Sequence, residues 1–459
     1  MDCFRFRFRF RFRFRFYTKH HLTFPSNTNH CETVKVPRLN LFCLVHVSTA
    51  TLKKLQAILS SPGIANTGKG SFYAISQQRV KQQINLWNSH LPDIKPYYAV
   101  KCNPEPWLMK WLAQAGAGFD CASSREILLT KNLDVSKSPD ILFANPCKKF
   151  DDIINADLNK IKTTVIDSHE EVDKLQEAGW RGDALVRIQV DDKGSTMPFS
   201  AKFGIEPANI KALAHYAALK QIRIAGISFH VGSGCKSPGQ YTTAILQAQH
   251  CLSILKETNK DANLIDIGGG FSADPSDFQQ AAAAITLGRK HIPSTTKIVA
   301  EPGRFFAANS HDLFVQVIGK KPFAGGNPGY RYTLDESLYG QFSCIPYDHA
   351  SPKWMRIRNP GEAQRVKKPA VLYGRTCDSV DMIAAAQEAE ELMVGDWLWF
   401  PKMGAYTTVT STEFNGFPKP PLRVLESHQE IQLPDVKDVP AGEWPSGCKY
   451  ASVVQVPQF

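Results

Sequence analysis

Lys101 closes an apolar run, Tyr97-Tyr98-Ala99-Val100, which sets its amine at the end of a strand facing a pocket. A lysine amine taken out of water loses proton affinity and becomes a nucleophile suited to Schiff-base formation. A lone lysine at a strand end is nevertheless more often a surface group. Asp266-Ile267-Gly268-Gly269-Gly270-Phe271 places three consecutive glycines after another apolar run. Their bare N–H groups can cradle a phosphate, although a tight turn accounts for a glycine triplet equally well. The segment is neither G-x-G-x-x-G nor a Walker loop, which argues against a nucleotide. His230-Val231-Gly232-Ser233-Gly234 adds a flat ring and a hydroxyl on a glycine-rich loop. Glu301-Pro302-Gly303-Arg304 adds a carboxylate able to hold a protonated ring nitrogen and a guanidinium suited to phosphate. Taken singly, these last two read as a surface ion pair.

The combination reads differently. A Schiff-base lysine, a glycine cradle, an arginine, a ring to stack on and a carboxylate are the parts that pyridoxal 5'-phosphate requires. Something must bring them together, and the rhythm of the chain supplies it. Eight short apolar or β-branched runs end at or near Lys101, Asp120, Asn145, Asp167, Arg187, His230, Gly270 and Arg304, with helical patterns between them. Pro106 opens one helix at its first turn, with Leu108, Trp111, Leu112 and Ala115 on one face and Gly116 as its stop. Ser168 with Glu171, and Ser123 with Glu126, are spaced as capping boxes. Eight β-then-α units predict a (β/α)8 barrel, in which chemistry sits at the C-terminal ends of the strands. After about residue 309, strand-like runs alternate with Gly/Pro-rich turns, predicting a separate β domain. The expected organisation is a disordered basic tail at 1–36, a barrel over 74–309, a β-sheet domain from 37–73 and 310–435, and a C-terminal tail at 436–459.

Composition bounds what else the chain can be. Its 459 residues, 43% hydrophobic and 21% charged, can bury a substantial core. No apolar run approaches the ~20 residues that span a bilayer; the best, residues 39–47, is interrupted by Asn40 and His46. The net charge of +11 is concentrated in the tail, where Phe and Arg alternate over residues 4–16. That period of two is wrong for an amphipathic targeting helix, and charge held in a terminal tail is poor evidence for nucleic-acid binding by the folded body. The 11 cysteines show no C-x-x-C pair or zinc-type spacing, so reduced thiols, no metal and a cytoplasmic location are expected.

Ten motifs, in order, then carry a resemblance. They are PYYAVKCNPEP, GFDCASSREI, FANPCK, KFG, SFHVGSGC, DIGGGF, AEPGRF, YDH, TCDSVD and MGAYT, running from about residue 70 to 417. The set resembles the eukaryotic-type ornithine decarboxylases, which belong to the fold-type III pyridoxal-phosphate enzymes together with alanine racemase. The resemblance implies a barrel of the alanine-racemase type and decarboxylation of L-ornithine to putrescine in a homodimer with shared active sites. Alternatives are a decarboxylase of lysine or arginine, or an inactive regulatory homologue of the antizyme-inhibitor type. An antizyme-like regulator is an implied partner.

The resemblance also implies residue roles. Lys101 would carry the cofactor, Glu301 would pair with its ring nitrogen and His230 would stack on its face. Ser233, the Gly268, Gly269 and Gly270 backbone, Arg304 and Tyr406 would hold its phosphate. Asp120, Glu126 and Arg187 would support the site. Cys377, entering from the second subunit, would handle protonation at Cα. Asp378 would enter with it and, with Tyr347 and Asp348, bind the substrate's distal end. Lys202 and Asp381 would pair across the dimer interface. The loop reads Gly374-Arg375-Thr376-Cys377 where the family usually has Gly-Pro-Thr-Cys, a departure at the mouth of the pocket.

Overall fold

The first described strand, β1 (Phe72–Ile75), belongs to the second domain, not to the barrel that follows it. The structure is a computed structural model describing residues 48–60, 70–326, 328–359, 361–425, 429 and 431. The expectations for residues 1–36 and 436–459 lie outside these residues. Among the described residues no helix is long and apolar enough to cross a membrane.

The eight runs form eight parallel strands that close on themselves. They are β2 (Lys95–Ala99), β3 (Gly118–Cys121), β4 (Ile141–Phe143), β5 (Thr163–Ile166), β6 (Asp183–Arg187), β8 (Ile224–Ser228), β10 (Leu264–Asp266) and β11 (Lys297–Ala300), which pairs back to β2. A small ribbon of β7 (Ser195–Met197) and β9 (Ser233–Cys235) is inserted between them. Leu142, Val165 and Leu185 pack together in a cluster with Tyr97, Ala225 and Leu264, all from barrel strands. A larger apolar cluster joins the strands to the surrounding helices.

The helix Pro106–Gln114 shows how sequence sets the shell. Proline occupies its first turn, Leu108, Met109, Trp111 and Leu112 are buried, and Gly116 at φ +88° ends the run in a conformation other residues resist. Each such buried side chain contributes roughly 1.5–3 kcal/mol. Ala115 is instead the exposed cap. Two expected capping boxes form only by half. Ser168 and Ser123 accept from the N–H groups of Glu171 and Glu126. The Glu126 carboxylate reaches the N–H of Ala122, one residue before the cap, at 2.6 Å. Glu171 is drawn away into a buried ion pair with Lys148 at 2.7 Å, and also meets Lys174. Removing one partner of such a pair strands the other, a loss of about 3–5 kcal/mol.

The second domain is an eight-stranded sheet. Its strands are β12 (His311–Pro322), β13 (Tyr330–Leu334), β14 (Met355–Arg356), β15 (Lys367–Tyr373), β16 (Met382–Glu390), β17 (Trp397–Phe400) and β18 (Leu422–Val424), with β1 between β12 and β18. A helix unforeseen in the sequence, Thr49–Leu59, packs Leu55 and Ile58 against Phe72, Phe314 and Trp399 of this sheet.

Three contacts lock the sheet to the barrel mouth. Arg79 makes a buried bidentate pair with Asp312 at 2.8 and 3.0 Å. The side-chain amide of Asn103 donates to Gly404 O at 2.8 Å, and Tyr406 N donates to Cys102 O at 3.1 Å. The last two hold the segment around Tyr406 against the turn that carries Lys101.

Candidate active site

β2 ends at Ala99, so Lys101 lies two residues beyond the strand, in the 3-10 turn Val100–Cys102. Its amine donates to Asp120 Oδ2 at 2.5 Å, while its side chain keeps 45% of its surface exposed to the pocket. The expected loss of proton affinity does not occur. Burial opposes the charge, but the negative charges of Asp120 and Glu301 outweigh it and hold the amine protonated. Asp120, at the end of β3, has no side-chain exposure, and its Oδ1 has no hydrogen-bond partner among the described residues.

Opposite stands a second carboxyl pair. Glu301 follows β11 and Asp266 ends β10 on the neighbouring strand. Asp266 accepts from Gly268 N at 2.9 Å and Ser228 Oγ at 3.1 Å and shares a hydrogen bond with Glu301. Burial pushes Asp266 up to about 6. Burial, and then the Asp266 and Asp120 charges, push Glu301 well above the carboxylate range. Two acids this close titrate as a pair and share a proton. Glu301 Oε1 is buried without a partner among the described residues.

This pair has a consequence for stability without cofactor. Raised folded-state pKa values mean that stability is fully present below the ordinary carboxyl range and is lost as pH rises through about 6 and beyond. The cofactor-free protein is therefore expected to lose resistance to urea between pH 5 and pH 8, and Asp266→Asn is expected to flatten that slope. Urea midpoints across the range check it; an unchanged slope in the variant would count against the pairing.

The glycine triplet cannot be replaced. Gly268 sits at φ +63°, where an added Cβ would lie 2.3 Å from Phe229 O; one on Gly269 would lie 2.9 Å from His230 Nε2. The buried Tyr241 hydroxyl donates to Gly269 O at 2.8 Å and fixes the loop from behind. His230 accepts from Gly232 N at its Nδ1, 3.0 Å away. Burial, with the nearby Arg187 and Lys101 charges, keeps its ring neutral. Phe199, on the loop bearing the ribbon, lies 4.9 Å from the His230 ring. Its N–H is held by the buried Asp192 carboxylate.

Arg304 and Glu301 do not form the ion pair their spacing suggested. Arg304 makes a bidentate pair with Asp348 at 2.7 and 2.6 Å, donates to Ser233 Oγ at 3.2 Å and lies 5.0 Å over the Tyr406 ring. Asp348 therefore faces Arg304 with both oxygens. Lys101, His230, Ser233, Gly269, Gly270, Glu301, Arg304 and Tyr406 line one pocket, with Phe199 and Phe271. Arg187 is partly buried, with its guanidinium 4.7 Å over the Phe203 ring.

Four expected residues lie elsewhere in the chain. Tyr347 is 63% exposed, and Cys377 is exposed with its N–H donating to Asn415 Oδ1 at 3.0 Å. Asp378 accepts from the Tyr339 hydroxyl at 2.5 Å. Asp381, implied to pair with Lys202 of a second subunit, is buried within its own chain. Its carboxylate accepts from Leu338 N, Thr376 N and Thr376 Oγ1 at 2.8, 3.1 and 2.6 Å.

The residues fit a pyridoxal phosphate. The unpartnered Glu301 oxygen suits a ring N–H, the glycine cradle leaves backbone room, and a neutral imidazole offers a flat face. Asp266, Tyr241 and Phe199 were not foreseen as site residues. Asp266 alone carried a signal, a carboxylate at a strand end directly before the triplet.

Comparisons with known proteins agree with this geometry. Residues 77–308 match the family described as "Pyridoxal-dependent decarboxylase, pyridoxal binding domain". The ornithine decarboxylase of Caenorhabditis elegans is 35% identical over 381 residues, covering 80% of this chain and 90% of its own. Antizyme inhibitor 2 of Xenopus laevis is 37% identical over 348 residues, covering 72% and 76%. The agmatine-bound arginine decarboxylase of Paramecium bursaria Chlorella virus superposes with a TM-score of 0.76 at 36% identity, covering 82% of this chain and 100% of that one.

Proposed function

The chain belongs to the pyridoxal-dependent decarboxylases, and from that premise we propose that it converts L-ornithine to putrescine and CO2. The observation that carries the reading is that Lys101, paired with Asp120, lines one pocket with Glu301, which shares a proton with Asp266. Bound pyridoxal phosphate supplies a protonated ring that takes up the electron pair left at Cα as CO2 departs.

The chain's own residues do the rest. Lys101 anchors the cofactor, and Asp120 takes up the positive charge that the amine carries at rest. Glu301, with Asp266 behind it, keeps a proton on the ring nitrogen. His230 offers its neutral ring face. The Gly268–Gly270 backbone, Ser233, Arg304 and Tyr406 hold the phosphate, with Arg187 beside the site. Phe199 covers the His230 side and limits water. Asp348, with Tyr347 beside it, binds the distal ammonium.

Cys377 and Asp378 complete the site from the second subunit of a homodimer, Cys377 returning the proton to Cα and Asp378 joining Asp348. Their place outside the pocket of their own chain, on an exposed loop, supports this shared arrangement. A cytoplasmic location and regulation by an antizyme-like partner go with the reading.

Two carboxylates at the distal end favour a cationic side chain over a distal carboxylate. A decarboxylation assay with L-ornithine, L-lysine and L-arginine tests this. Ornithine is expected to give the highest kcat/KM by about tenfold or more; comparable or better turnover of another diamino acid would reassign the substrate. The antizyme-inhibitor relative gives weaker support to a second reading, a non-catalytic regulator. Absence of CO2 release from all three, with no bound-cofactor absorbance, would establish that reading instead.

A further inference from the structure

We propose that Asp348 and Arg304 form a charge clamp that couples the site's affinity for a cationic side chain to its affinity for phosphate. The inference rests on the cofactor reading above and goes beyond it, because it makes two binding events depend on each other.

The two residues come from different parts of the fold. Arg304 opens the short helix Arg304–Ala307 at the barrel mouth, and Asp348 ends the helix Cys344–Asp348 of the second domain. Both Nη atoms of one meet both carboxylate oxygens of the other, at 2.7 and 2.6 Å. The Asp348 side chain is 6% exposed, so little water competes for it. A bidentate pair in such surroundings is strong and directional.

At rest the guanidinium is therefore compensated. An incoming phosphate monoester carries nearly two negative charges, and it meets an arginine whose charge is already answered and whose partner repels it. Of the other titratable groups close by, three are neutral and two are cations. The Cys102 and Cys344 thiols and the Tyr406 hydroxyl are buried and pushed upward, hence neutral. The cations are Lys101, which lines the same pocket but is paired with Asp120, and Lys353, which shares a cavity wall with Asp348 and Arg304 and whose amine is buried without a partner among the described residues; both are present with and without the bound cation, so neither changes the coupling. A cationic group arriving at Asp348 takes over its carboxylate and releases the guanidinium to the phosphate. By linkage, phosphate on Arg304 must raise the affinity of Asp348 for that cation by the same factor.

The test uses the full chain freed of cofactor, with pyridoxine 5'-phosphate as the anion, because it lacks the aldehyde and forms no bond with Lys101. Calorimetric titration is run with and without saturating putrescine. Putrescine is expected to tighten pyridoxine phosphate about five- to tenfold, in the lower range of couplings between sites. Asp348→Asn is expected to tighten it by a similar factor without putrescine and to abolish the response; Asp348→Glu keeps the response. An affinity indifferent to putrescine in the unaltered chain overturns the clamp while leaving the cofactor reading intact. So does an undiminished response in Asp348→Asn. No binding of pyridoxine phosphate at all would overturn both.

Discussion

Glu301→Ala is expected to lower kcat by about a thousandfold while the protein still binds cofactor. Electrostatic groups preorganised at a site of charge development are typically worth 10²–10³ in rate each, and in the proposed role Glu301 stands where all the released charge would go. Its environment is built for one task. Glu301 is 8% exposed, its Oε1 has no partner among the described residues, and Asp266 and Asp120 disfavour a further negative charge beside them. Such an acid takes on a full negative charge only opposite a cation, and a protonated ring nitrogen is one. Glu301→Gln keeps the shape but not the charge and should fall nearly as far. Bound-cofactor absorbance separates loss of chemistry from loss of binding: it should persist in both variants. Near-normal turnover in Glu301→Ala would remove the carboxylate from the reaction altogether.

What made this site legible was position combined with residue type. Lysine, histidine, three glycines and glutamate each stand at or just beyond the C-terminal end of a barrel strand, where a parallel barrel gathers them whatever separates them along the chain. Local spacing was the less reliable guide. Glu301 and Arg304 are three residues apart, yet one pairs with Asp266 on the next strand and the other with Asp348, 44 residues on. Glu171 has the spacing of a capping box, yet a buried lysine claims its carboxylate. In each case a long-range charge partner outcompetes a local one, because burial makes an unanswered charge more costly than a missing cap. The helix at 49–59 escaped notice for a related reason. Its apolar face is completed by Phe314 and Trp399, far away in sequence. The residues of the loop at 374–381 show nothing of their proposed role in one chain, because that role depends on a second.

Lys101→Ala should reduce turnover by ~10⁴-fold or more, since it forfeits covalent anchoring, and well-oriented intramolecular partners reach effective molarities of 10⁵–10⁸ M. Borohydride treatment should then fix no cofactor at position 101, whereas the unaltered chain should be labelled there. The same change should also destabilise the cofactor-free protein, because it leaves Asp120 with a fully buried side chain and without its ion-pair partner. Full burial of both partners would put that cost at about 3–5 kcal/mol. Lys101 is 45% exposed, so solvent screens part of the interaction and about 1–3 kcal/mol is the better expectation. The two effects can be separated. Lys101→Arg keeps a cation near Asp120 and should recover much of the stability with none of the turnover. Asp120→Asn in the Lys101→Ala background removes the stranded charge and should raise the urea midpoint again, still without activity. Appreciable decarboxylation in Lys101→Arg would mean that charge, not the amine's bond to the cofactor, is what this position contributes.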